Sequence, residues 1–217
     1  MVKSNETQAT NPKVQVTIKP PNLQTARFEI VGTAPLVIHR FAAKAKAMMM
    51  AKMEAGSTAK KGKAREAFDK DAAYEGARYR AKAGWDGFNA AAIRAAMISA
   101  CRLVGFKMTL AKLSVFVVPD GWDAVEPQIP LVKIEGKPRL LESVARVETG
   151  QCYITVRPCF DEWSAAVTIR FDGDQFTVAD ISNLLARVGA QVGIGEGRAD
   201  SKNSPGMGWG SFTLKSE

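Results

Sequence analysis

The stretch Gly193-Ile194-Gly195-Glu196-Gly197-Arg198-Ala199-Asp200-Ser201-Lys202-Asn203-Ser204-Pro205-Gly206-Met207-Gly208-Trp209-Gly210-Ser211-Phe212 holds six glycines, two basic residues and one proline. An amphipathic helical pattern precedes it, and a short strand-like run, Trp209 to Leu214, follows it. Glycine admits positive φ and lets a backbone approach a ligand with no β-carbon in the way. Successive backbone N–H groups beside Arg198 and Lys202 therefore suit a phosphate cradle. A glycine-rich turn with no ligand is the alternative, and the rest of the chain has to decide between them.

Working back from this tail, Val178, Ile181, Leu184, Leu185 and Val188 recur at helical spacing behind Thr177, a good N-cap, and Gly189 reads as the stop. Ala165 to Phe171 alternates as a strand ended by Asp172-Gly173-Asp174, and Tyr153 to Pro158 reads as extended. Ile129 to Val147 reads as two short strands around Glu135-Gly136-Lys137-Pro138, a predicted β-hairpin insert. Leu113 to Val118 is another strand, stopped by Pro119-Asp120-Gly121. Ala90 to Val104 is a helix capped by Asn89 and stopped by Gly105, with Ile93, Met97, Ala100, Cys101 and Val104 on its buried face. Arg27 to Gly32 opens the order as a strand, and Pro35 bulges or ends the extended run that follows to His39.

With the inserts set aside the order is strand, helix, strand, strand, helix, strand. That is the α+β, ferredoxin-like or RRM-like arrangement: an antiparallel sheet with two helices on one face. Its expected core comprises Phe28, Ile30, Ile93, Met97, Val115, Val117, Val167, Ile169, Ile181 and Leu185. Residues 1–25, polar and carrying Pro20-Pro21, predict a mobile arm, in which Val14 to Ile18 alternates and could add a strand to a neighbour. Residues 26–217 then form one domain, with an insert at 40–84.

That insert carries the charge. From Arg40 to Lys82 twelve Lys or Arg stand against five Asp or Glu, a balance of +7 out of a net +8 for the chain. Such one-sidedness points to a polyanionic partner, nucleic acid before anionic membrane. A basic flap closing over a strand is the functional reading, with Met48, Met49, Met50, Tyr74 and Tyr79 available to stack or wedge. A solvated surface loop is the structural one.

Cys101, Cys152 and Cys159 form no C-x-x-C pair, which argues against a disulfide framework or zinc site and for a reducing cytoplasm. The first 22 residues lack a signal-peptide core, and no apolar run is long enough to span a bilayer, so no membrane role is expected. No P-loop, serine triad or dinucleotide fingerprint is present. The expectation is a chain without cofactor or metal.

Three pieces resemble a known family. Gly32-Thr33-Ala34-Pro35-Leu36-Val37-Ile38 is similar to the opening strand of the RAMP superfamily of CRISPR-associated proteins, which ends in a small residue, Pro-Leu and an apolar pair. Gly87-Phe88-Asn89-Ala90-Ala91-Ala92-Ile93-Arg94-Ala95-Ala96-Met97 resembles its first helix entry, and Gly193-x-Gly195-x-x-Arg198 with Gly206-x-Gly208-x-Gly210-x-Phe212 resembles its C-terminal glycine-rich loop and closing strand. The match spans about residues 27 to 214 and is best to the single-domain backbone subunit that coats guide RNA as a filament. The resemblance implies single-stranded RNA as partner, a homo-oligomer or filament, and other CRISPR-type subunits. The chain is shorter than that subunit, and its insert is richer in alanine and methionine. A phage-encoded relative that coats or anneals single-stranded DNA, or a RAMP mimic that joins a partner's filament, is equally compatible.

The residues expected to bind nucleic acid are Arg40, Lys44, Lys46, Lys60, Lys61, Lys63, Arg94, Arg198 and Lys202 on phosphates, Gly195 in the cradle, and Trp209 for stacking or a subunit contact. His39, the sole histidine, lies where the strand meets the basic insert. RAMP endoribonucleases use a histidine as general acid or base, so His39 is the catalytic candidate, against the plainer roles of structural group or phosphate contact. Asp69 and Asp71 could hold a metal, but their lysine and arginine neighbours favour surface ion pairs.

Overall fold

The computed structural model describes residues 18–41, 46–51, 68–146, 152–201 and 206–215. In chain order these form β1 (Leu23–Gly32), β2 (Leu36–Val37), a helical segment α1 (46–51), α2 (Lys70–Ala77), β3 (Tyr79–Arg80) and β4 (Asp86–Asn89). Next come α3 (Ala90–Ala100) with a 3-10 turn (Cys101–Val104), α4 (Met108–Ser114), β5 (Val115–Val118), β6 (Gly121–Trp122) and β7 (Pro130–Lys133). The chain ends with β8 (Arg139–Arg146), β9 (Cys152–Phe160), β10 (Ser164–Asp172), α5 (Val178–Arg187), a π turn (Val188–Val192) and β11 (Phe212–Leu214).

The strands form three antiparallel sheets, ordered β11-β1-β10-β5, β2-β9-β8 and β3-β4-β7-β6. In the first, Phe28 faces Val167, Ile30 faces Ala165 and Ala26 faces Ile169, so the period-two apolar positions share one side. Against that side pack α3, through Ile93 and Met97, and α5, through Ile181 and Leu185, all four wholly buried. Phe171, Phe212 and Phe176 complete the same core.

The local signals explain the helices. The Asn89 side chain accepts from the Ala91 N–H, and the 3-10 turn ends at Gly105 with φ 68°. Thr177 and Asp180 form a reciprocal capping box at the start of α5. Val104 and Val178, expected inside, are exposed.

Several boundaries differ from the sequence reading. Leu23 to Thr25 belong to β1 and not to an arm, because β10 is long enough to pair with them. Leu113 and Ser114 close α4, and β5 begins only at Val115. The predicted hairpin around Glu135-Gly136 does not form: β7 pairs with β4 and β6, while β8 pairs with β9 in another sheet. Long-range bonds override the turn signal there, as Ile134 N–H donates to Asp86 O and Glu135 exchanges two bonds with Ser164. The hairpin of this region is β8–β9. Gly189 does not stop the last helix either. The π turn carries the chain to Gly193, and the bare α-carbon of Gly189 leaves room for the Phe212 carbonyl of β11.

Candidate functional site

Where α3 begins, a groove of about 730 Å³ separates it from the glycine loop. One wall is the start of α3, where Ala91, Ala92 and Ala95 keep the surface low, and the other is Ile194, Gly195 and Arg198. Three cations, Arg94, Lys112 and Arg198, line it against one carboxylate, Asp200.

Each charge is held in its own way. Arg94 donates from Nε to Val115 O at 2.8 Å and from Nη2 to Lys112 O, tying α3 to α4 and β5. Its guanidinium lies 5.4 Å from the centre of the Phe116 ring, and Arg170 stands at 5.4 Å from the same ring. Arg198 donates from Nη1 to Gly195 O at 3.1 Å. Asp200 accepts from the Ser99 hydroxyl and from Arg102 Nη2 at 2.9 Å, which pins the loop to the end of α3. The Ser99 hydrogen bond, with Arg102 behind it, holds the Asp200 carboxyl below its ordinary range, so it is an anion at neutral pH.

The loop's path depends on Gly195, with φ 79°. A β-carbon there would stand 2.5 Å from Val37 O, because the loop crosses β2 through a bridge of Glu196 to Val37. Glu196 N–H donates to Val37 O at 2.9 Å. Among the described residues no hydrogen bond occupies the amides of Gly195, Gly197 and Arg198. Free amides in a glycine-rich turn, next to cations, suit an anion such as a phosphodiester.

Behind the loop, Glu196 joins β2 and β9. Its Oε2 accepts from Arg157 Nε at 2.8 Å and lies 3.3 Å from His39 Nδ1. Burial, then the Arg157 charge, lower the His39 pKa, and together they outweigh the opposite pull of Glu196. The contact is accordingly one of a neutral imidazole with a carboxylate.

The structure gathers only part of the expected set. Arg94, Gly195 and Arg198 line one groove. The Trp209 ring lies against Gly197 and the residue is half-buried, its backbone N–H donating to Gly197 O at 3.3 Å. Arg40 is elsewhere: with 4% of its side chain exposed it pairs with Asp123 at 3.0 Å, so it is not free for a phosphate. Lys46 is bound to Glu126 at 2.7 Å. Asp69 caps α2, its Oδ1 accepting from the Ala72 N–H at 3.0 Å. Lys44, Lys60, Lys61, Lys63 and Lys202 lie outside the described residues.

No short-range signal marks Lys112; its position beside the groove comes from α4 folding back on α3. Arg157 and Glu196 have no sequence signal, since 39 positions separate them. Among the described residues no helix is long and apolar enough to cross a membrane, and no group of His, Cys, Asp or Glu is arranged to hold a metal. Compared with protein-family models and with curated proteins, the chain matches none.

Proposed function

We propose that this protein binds single-stranded nucleic acid without sequence preference, RNA before DNA, as a RAMP-like subunit that coats a strand in a cytoplasmic oligomer or filament. The observation that carries the reading is the convergence of Arg94, Lys112 and Arg198 on one groove beside a glycine loop in which, among the described residues, no hydrogen bond occupies the amides of Gly195, Gly197 and Arg198. The order β11-β1-β10-β5, with α3 and α5 joining alternate strands, supports a ferredoxin-like platform as its frame. A groove floored by alanines and backbone reads charge and not base identity. The test is anisotropy of labelled oligonucleotides across a salt series. Single-stranded RNA should bind more tightly than duplex, with log K falling linearly in log salt. A response flat in salt, or a preference for duplex, overturns the proposal.

A second reading, cleavage of RNA with His39 as general base, is favoured by the neutral imidazole held against Glu196. Labelled hairpin RNA incubated with wild type and with His39→Ala separates the two. Cleavage by wild type alone assigns the enzyme, and intact RNA in both removes it.

A further inference from the structure

A second site stands at the other end of β4. A tight turn, in which Ala81 accepts from Gly84 N–H at 2.8 Å and donates to Trp85 O at 2.9 Å, delivers Trp85 to the start of the strand. Its six-membered ring lies over two glycines of the third sheet. A β-carbon on Gly87 would stand 3.0 Å from Cζ3, and one on Gly121 would stand 2.8 Å from Cζ2. The sheet is thus bare where the indole rests. Beside it opens a pocket of about 430 Å³, walled by Trp122, with 51% of its surface exposed, and rimmed by Lys82. Among the described residues Lys82 has no ion pair. The pocket's carboxylate, Asp120, already accepts the Lys133 N–H at 2.9 Å.

We infer that the Trp85–Trp122 pocket takes an unstacked nucleobase, with Lys82 on the adjoining phosphate. Two indoles at a pocket mouth offer stacking that every base satisfies, and the free cation favours a polyanion over a peptide. Continuity points the same way. Asn89, at the end of β4, lines the cationic groove, and Trp85 lies four residues before Asn89, about 13 Å of extended chain. A strand lying in the groove has its neighbouring nucleotides within reach of the indoles. This inference rests on the proposed strand binding and adds to it a site for bases.

The experiment compares an oligoadenylate with an abasic ribose-phosphate oligomer of equal charge, on wild type, Trp122→Ala and Trp122→Phe. Wild type should prefer the base-bearing strand by roughly tenfold or more. Trp122→Ala should bring the two strands within about twofold, and Trp122→Phe should restore most of the preference. Trp122 is exposed on an edge strand, so an unchanged circular-dichroism melt is expected for both variants. Equal binding of both strands by wild type overturns this inference and leaves the groove intact. A preference that survives Trp122→Ala, or a Trp122-dependent affinity for a proline-rich peptide in place of the base, overturns it as well. Binding of neither strand removes the underlying proposal instead.

Discussion

Arg40 Nη2 stands 3.0 Å from Asp123 Oδ2, with the two side chains 4% and 1% exposed. The pair joins the chain just past β2 to the loop between β6 and β7. Asp123 Oδ2 also accepts the Glu126 N–H at 2.8 Å, and Glu126 itself lies 3.6 Å from Arg40. A basic residue expected on the surface is thus a buried tie between two sheets.

Asp123→Asn keeps the shape, but it replaces one of the two oxygens that accept the Arg80 and Glu126 N–H groups with an NH2 donor and leaves the guanidinium buried without its main counter-charge. Denaturant unfolding should show a loss of about 3–5 kcal/mol. Adding Arg40→Met should recover part of it, so the double variant should be more stable than Asp123→Asn alone. Equal stability of the two would mean that the guanidinium left without Asp123 carries no net penalty.

His39 links stability to pH. Its folded pKa lies below the ordinary 6.5, so the unfolded chain takes up a proton first as pH falls. The native state should lose stability as the pH drops from about 6.5 towards the folded value. His39→Gln should flatten the urea midpoint across that window. A wild-type midpoint that rises on acidification there would show the opposite shift.

Gly195 and Gly208 both have positive φ, at 79° and 72°, but only Gly195 abuts backbone. Each change to alanine should cost about 1–2 kcal/mol for the left-handed conformation. Gly195→Ala should lose at least about 1 kcal/mol more, since Val37 O cannot move without breaking the Glu196 bridge. Thermal melts of the two variants side by side check the order.

Lys112 is exposed and lines the groove. If it neutralises one phosphate, Lys112→Ala should reduce the slope of log K against log salt by about 0.7 for a single strand. The loss should be the same for any base composition. An unchanged slope would take Lys112 off the strand's path.

Leu185 is wholly buried between α5 and the first sheet. Leu185→Ala should destabilise by about 2–5 kcal/mol, read from the shift in denaturant midpoint at constant m-value.

Much of the frame was legible in short-range signals. Asn89 and Thr177 mark helix starts because their side chains satisfy amides one turn on. Phe28, Ile30, Val167 and Ile169 mark a sheet face because a strand's side chains alternate. The site was half legible. Arg94, Gly195 and Arg198 do share a groove, whereas Arg40 and Lys46 are taken up by Asp123 and Glu126. A count of charges carries no information about which carboxylate will lie opposite each lysine or arginine. The fate of the Glu135-Gly136 turn was illegible for a related reason, because its partners, Asp86 and Ser164, lie in other elements.

The amino-acid sequence by itself determined the helix caps, the apolar periodicities and the positive-φ glycines, since those depend on a residue and its near neighbours. Only the tertiary structure decided which charges are buried, which strands pair, and where Lys112, Trp85 and Trp122 come to stand. Those outcomes depend on partners far away in the chain, whose proximity exists only once the sheets have closed on a common core.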